Sequence, residues 1–137
     1  MIPLEQVTMN LLIEMAMEAD ASDVMIKEGA PPSMKLYNKV SKMSPELPTI
    51  DRPHMRKLLS SVMNERQLRH FEEHMDQDVG FTVEGKCRVR CNAYMQKGGW
   101  ASVMRIVPLK IKTLADLGLP AVLGEVTKHK MGLVLVT

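Results

Sequence analysis

CRVRCNAYMQKGGWASVMRIV, residues Cys87 to Val107, is the stretch that decides the fold. Successive side chains of a strand point to opposite faces, so Cys87, Val89, Cys91, Ala93 and Met95 share one side while Arg88, Arg90, Asn92, Tyr94 and Gln96 share the other. Gly98-Gly99 is a two-residue turn signal leading into a return strand. With those glycines as the loop, Lys97 pairs with Trp100, Asn92 faces Arg105 and Arg90 faces Val107. Met104 and Ile106 then join the cysteines on a core-facing side, and Arg105 joins Arg88 and Arg90 on the opposite one. Arg90 and Arg105 are expected as diagonal cross-strand neighbours, roughly 7–8 Å apart. No acidic residue lies between Cys87 and Val107.

Two readings of these arginines stand side by side. They solvate the outer face of a sheet and pair with acids of the preceding strand, as charged outer faces of half-buried antiparallel sheets ordinarily do. Or they clamp an anion, phosphate first, because the planar guanidinium fork matches phosphate oxygens. The preceding strand bears on the choice. Val79, Phe81 and Val83 alternate and end at Glu84-Gly85-Lys86. For them to share the face of Val89 and Cys91 the loop must hold an odd number of residues, which pairs Val83 with Cys87, Thr82 with Arg88 and Gly80 with Arg90. No bulky side chain then covers Arg90 from that strand, and Asp78 is the best acidic rival for the arginines.

Further upstream, Leu4, Val7, Leu11, Leu12 and Met15 recur at helical spacing behind Pro3, predicting a helix over residues 4–18. Residues 22–27 read as a strand stopped at Glu28-Gly29-Ala30-Pro31-Pro32, where the double proline forbids a helix. Ser33–Tyr37 and Lys39–Met43 read as a second hairpin turning at Asn38. Asp51 is placed to cap a helix with Pro53 in its first turn and Met55, Leu58, Leu59 and Val62 inward. Asn64 with Gln67 forms a capping box for another helix bearing Leu68, Phe71 and Met75. After Pro108, Ile111, Leu114, Leu117 and Leu119 make an apolar connection, and residues 121–128 form a short helix. Met131 to Thr137 is a continuous apolar run of the kind found in a strand buried on both faces of a parallel sheet. No partner strands for it exist in this sequence, which therefore looks cut at a domain boundary.

With 137 residues, 45% hydrophobic, the chain can bury one core and some extra. A net charge of +2 with interspersed signs and only 4% aromatic residues gives neither a basic stripe nor a stacking platform, so nucleic acid is not an expected partner. No run approaches the roughly 20 apolar residues of a membrane span and no signal-peptide pattern appears, so a soluble, cytoplasmic protein is expected. Cys87 and Cys91 on one strand sit about 13 Å apart, too far for a disulfide. They read as small core hydrophobes. The 13 methionines suit an adaptable core. His70 and His74 have helical i, i+4 spacing but no third ligand, so no metal site is expected. Nor does the chain hold a nucleophile–base pair or a Gly-rich phosphate loop.

A series of short motifs carries more. Ala21-Ser22-Asp23, Gly29-Ala30-Pro31-Pro32, Met63-Asn64-Glu65, Arg88-Val89-Arg90 with Asn92 and Gln96, Arg105-Ile106 with Pro108, Thr113-Leu114, Leu117-Gly118-Leu119-Pro120 and residues 132–137 follow one another in order. In that order and spacing the chain resembles the N-terminal part of the PilT/PilU type IV pilus retraction ATPases, in the secretion ATPase superfamily. The resemblance implies an α+β, PAS-like domain over residues 1–108, an interdomain linker over 109–120, and over 121–137 the start of a RecA-like ATPase domain that stops before the P-loop. It implies ATP and Mg as ligands of the full-length protein, a homo-hexamer, cooperation with the chain's own RecA-like domain and with the pilus inner-membrane platform machinery, and peripheral placement at the inner membrane. It implies Arg90 and Arg105 as arginine fingers, Arg88 as a supporting residue, and Thr113 and Leu114 near the nucleotide. No Walker A sequence occurs in these 137 residues, so this stretch by itself is expected to be inactive. Ser22-Asp23-Val24-Met25 lacks the histidine that many PilT-like sequences carry after the Ser-Asp pair, and Pro32-Ser33-Met34-Lys35 is closer to PilU-type sequences. A free-standing PAS-like interaction or sensory module is the rival reading from another class.

Overall fold

Three local three-residue rules place most of the helices. The computed structural model describes residues 1–135. Asp51 accepts the backbone N–H of His54 at 2.8 Å and starts α2, Arg52–Ser60, with Pro53 in its first turn. Asn64 and Gln67 satisfy each other's backbone N–H groups in a reciprocal capping box at the head of α3, Glu65–His74. Thr8 accepts from the N–H of Leu11 and starts α1, Met9–Glu18. That last cap corrects the single helix expected over 4–18. Leu4–Gln6 is one 3-10 turn, Val7 and Thr8 are extended, and the Val7 carbonyl is taken by the buried His54 ring at 2.8 Å. The Leu11 N–H, which would reach the Val7 carbonyl in a continuous helix, is instead taken by the Thr8 hydroxyl at 3.2 Å.

The strands are β1, Asp23–Lys27, β2, Ser33–Leu36, β3, Lys39–Lys42, β4, Asp76–Val83, β5, Cys87–Gln96, and β6, Gly99–Pro108. They form one six-stranded antiparallel sheet in the order β3-β2-β1-β6-β5-β4. The fold class is thus α+β, as expected. α1, α2 and α3 cover one face, where Leu12, Ile13, Met55, Leu59 and Phe71 pack with Val24, Ile26, Val89, Cys91 and Met104. Each such large side chain, fully withdrawn from water, contributes about 1.5–3 kcal/mol. Phe71 meets Trp100 edge to face with centroids 4.9 Å apart. Of the residues expected inward, Val62 is only partly buried, and Met75 is the left-handed cap of α3, 39% exposed.

The β4/β5 register agrees with the parity argument at every rung, with Val83 opposite Cys87 and Gly80 opposite Arg90. The β5/β6 register does not. The turn is Lys97-Gly98, both at positive φ (49° and 77°), and Gly99 is the first residue of the return strand, opposite Gln96. The reason lies in the core. A Gly98-Gly99 loop would put Lys97 opposite Trp100 on the apolar face, whereas the observed turn puts Met95 there and releases the lysine to solvent. The shift is two residues, so every side chain keeps its predicted face.

Past β6 the chain is a run of turns, with α4, Val122–Val126, the short helix expected over 121–128. Residues 131–135 are exposed and outside any strand, contrary to the strand expected over 131–137, and among the described residues no strand pairs with them. Residues 136–137 of that expectation lie outside the described residues. Among the described residues no helix is long and apolar enough to cross a membrane.

Candidate functional site

Register sets the site. Arg90 is directly opposite Arg105, closer than the diagonal placement expected, with Arg88 two residues along on the same outer face. Directly opposed residues have Cα atoms about 4.5–5.5 Å apart, and like charges so placed are destabilising. β6 lies between β5 and β1, so Arg105 has a second cross-strand neighbour, Asp23. Its carboxylate Oδ1 accepts the Nε–H of Arg105 at 3.3 Å. The other oxygen, Oδ2, accepts from the Ser22 hydroxyl at 2.7 Å. Asp23 is nearly buried, its side chain 9% exposed, while the Arg105 side chain is 69% exposed.

Asp78, the acid expected to compete for the arginines, is engaged elsewhere. Asn92 donates through Nδ2 to Asp78 at 3.1 Å and to Asp76 at 3.0 Å, so β4's two acids are tied together by an amide. Among the described residues Arg88 and Arg90 make no ion pair. Gly80, opposite Arg90, leaves room that the Arg88 guanidinium approaches, since a Cβ built there would lie 3.8 Å from Arg88 Nη2. Together Asp23, Asp78, Gly80, Arg88, Arg90 and Arg105 line an open concavity of about 610 Å³ on the sheet's outer face, so Asp78 borders the site although the hydrogen bond it accepts comes from Asn92. Three guanidinium groups, one of them paired with a carboxylate through a single nitrogen, make a surface suited to an anion with several oxygens.

Thr113 and Leu114 do not line this concavity. Thr113 is occupied within its own turn, where the Asp116 carboxylate accepts from both the Thr113 N–H at 2.9 Å and its hydroxyl at 2.8 Å. Those two donors hold the Asp116 carboxyl below its ordinary range. The cysteines behave as core residues. Burial pushes both thiols up, and Cys91 Sγ lies 3.2 Å from the Ser102 hydroxyl. His70 and His74 stack on each other at 4.2 Å, and among the described residues no cluster of three metal-ligating side chains exists.

Sequence reasoning missed Asp23 as the partner of Arg105. Its motif, Ser22-Asp23, was visible, but the strand pairing that carries it to Arg105 was not. It also missed the knot at the hairpin tip. There Arg52 donates from Nε to both Glu28 oxygens, at 3.1 and 2.9 Å, and from Nη2 to the Gly98 carbonyl at 2.6 Å. The Trp100 N–H donates to Glu28 Oε2 at 3.1 Å.

No family model matches the chain. Among curated proteins it is 33% identical over 126 residues to the type IV pilus retraction ATPase PilT of Pseudomonas aeruginosa, covering 92% of this chain and 36% of that one. It is 33% identical over 129 residues to the type IV pilus ATPase PilU of the same organism, covering 90% of this chain and 32% of that one. Identity therefore does not separate the two subgroups. Among solved structures, the crystal structure of the pilus retraction motor PilT with bound ADP superposes with a TM-score of 0.75 at 31% identity, over 93% of this chain and 37% of that one. The six-stranded sheet with its helices matches the N-terminal domain of PilT-like ATPases. Spanning about a third of the length of these relatives, the chain is homologous to the PilT/PilU family of type IV pilus ATPases that its motifs resemble.

Proposed function

We propose that the chain is the N-terminal, PAS-like part of a hexameric type IV pilus retraction ATPase, and that it lends Arg90 and Arg105 to ATP held by the RecA-like domain of the longer protein. Residues 1–108 are the domain, 109–120 the linker and 121–137 the approach to the ATPase core. The observation that carries the reading is the direct opposition of Arg90 and Arg105 on an outer sheet face, with the one carboxylate that pairs with either, Asp23, on the far side of Arg105 from Arg90. Like charges held opposite each other on one rung are destabilising until an anion joins them.

During phosphoryl transfer, negative charge spreads over the transferred group's oxygens, and guanidinium groups aimed at those oxygens stabilise the transition state more than the ground state. Arg90 and Arg105 supply that charge from outside the nucleotide pocket, with Mg and the P-loop belonging to the core. Arg88 supports them by adding field to the same concavity. Because the arginines sit on one rigid sheet, losing the transferred phosphate releases the whole domain at once, and domain movement is coupled to hydrolysis. The motor works from the cytoplasmic side against the pilus platform in the inner membrane.

The test is ATP turnover by the longer protein carrying Arg90→Ala or Arg105→Ala, with nucleotide binding measured separately. A fall in turnover of about 10³-fold or more with binding largely kept is expected of arginine fingers. Unchanged turnover makes the arginines a solvated sheet face and moves the domain's role to partner contacts.

A further inference from the structure

Arg105 is gripped by Asp23 at one atom. The contact is Nε to Oδ1 at 3.3 Å, and Nη1 and Nη2 make no hydrogen bond among the described residues. Those terminal nitrogens are a prong pair that can meet a phosphoryl group. Asp23 is itself held on several sides. Its backbone is paired on both sides, to Arg105 in β6 and Lys35 in β2, and its second oxygen is held by the Ser22 hydroxyl at 2.7 Å. A fixed carboxylate holding the inner edge of an otherwise solvent-exposed guanidinium defines where the outer edge points.

We propose that Asp23 is a positioning residue for Arg105. It draws the Nε edge of Arg105 towards β1, away from Arg90, and presents Nη1 and Nη2 of Arg105 outward to the nucleotide oxygens. The inference rests on the arginine reading proposed above and adds to it a residue that need not touch the nucleotide.

The alternative is that Asp23 merely dilutes the positive field, and the two roles differ in sign. A carboxylate that only dilutes the field weakens anion attraction, so Asp23→Asn speeds turnover or leaves it unchanged. A carboxylate that positions the finger slows turnover when neutralised, because a misplacement of about 1 Å costs on the order of 10²-fold. The experiment compares Asp23→Asn, Arg105→Ala and the double variant in the longer ATPase, with kcat and ATP affinity measured separately. Asp23→Asn is expected to lower kcat by about 10- to 100-fold with ATP affinity unchanged or tighter. It is expected to add no further loss once Arg105 is alanine. In the present chain the Nε–H resonance of Arg105 should shift in Asp23→Asn while the β1/β6 backbone amides keep their protection.

Turnover at or above wild type in Asp23→Asn, with Arg105→Ala crippled, overturns the positioning role and leaves the arginine finger standing. An equal loss in the Arg105→Ala background assigns Asp23 to structure and also overturns it. Full turnover in Arg105→Ala overturns both readings. Should Asp23→Asn lose the amide protection, Ser22→Ala keeps both charges and frees only one side of the carboxylate. It should cost turnover several-fold, and no change in that variant overturns the proposal.

Discussion

Arg52 and Arg105 each meet one carboxylate, and the two are opposites in how completely they are used. Arg52 spends Nε on both oxygens of Glu28, Nη2 on the Gly98 carbonyl, and its flat face over Trp100, 5.8 Å from the ring centroid. Glu28 in turn accepts the Trp100 N–H. That knot closes on itself and locks the hairpin tip to the start of α2. Arg105 is bound at one nitrogen, and its neighbours Arg88 and Arg90 make no ion pair among the described residues. An arginine bound through two nitrogens and laid over a ring holds a fold together, and one bound through a single nitrogen opposite another arginine waits for something from outside. Charge count alone does not separate the two clusters, whereas the number of donors left over does.

The widest separation between the clusters is in catalysis. Arg105→Ala is expected to lower turnover of the longer protein about 10³-fold, while Arg52→Ala, away from the concavity, should leave turnover within a few-fold once the protein is folded. Parallel turnover assays on the two variants break the comparison if their losses are alike.

Stability should run the other way. Arg52→Ala strips three hydrogen bonds and a ring contact from the hairpin tip and should lower the thermal midpoint. Arg90→Ala removes a like charge and should leave the midpoint unchanged or raised. Thermal melts of both variants at low and high salt decide, with any gain in Arg90→Ala shrinking as salt screens the repulsion.

The turn beneath the knot offers a finer cut. Gly98 has φ 77° with nothing within 4 Å of a built Cβ, so Gly98→Ala should cost about 1 kcal/mol through backbone conformation alone. Gly99 has no positive φ, and its built Cβ meets Glu28 at ordinary contact, 3.5 Å, so Gly99→Ala should be tolerated. Chemical denaturation of the pair tells which glycine is the turn, and the reverse ranking breaks the observed register.

Acid gives the smallest effect. The Trp100 N–H first, and Arg52 after it, hold the Glu28 carboxyl below the usual glutamate range. A carboxyl depressed in the folded state contributes stability that is fully present above its unfolded value of about 4.3 and fades as pH falls through the lower folded value. Denaturation followed from neutral pH into acid should show less acid sensitivity in Glu28→Gln than in the wild type.

What could be read in advance was local. The Asp51 and Asn64 caps lie within three residues of the groups they satisfy, and the β4/β5 register followed from the parity of a three-residue loop. The facing of Arg88, Arg90 and Arg105 survived even the misplaced turn, because side-chain period is two and the error was two. What could not be read was pairing at a distance. Asp23 meets Arg105 across 82 residues, and Glu28 meets Arg52 across 24, with nothing in the intervening sequence to announce either. The acid expected to rival for the arginines is therefore Asp78, on the same face of the adjoining strand, which instead serves Asn92.

The strand order has a kinetic side. β1-β2-β3 and β4-β5-β6 are each a meander built from near neighbours, and the sheet becomes one only where β1 zips onto β6. Hairpins of such short reach form in about 1–10 μs, whereas closing a loop of some eighty residues carries a larger entropic cost and comes late. During synthesis β6 emerges last of the strands, so β1 must wait with one edge open until nearly the whole domain has left the ribosome. The contact between Asp23 and Arg105 lies on that final seam. A molecule that has not finished folding has the arginines but not the carboxylate that sets one of them, and completion of the site reports completion of the fold.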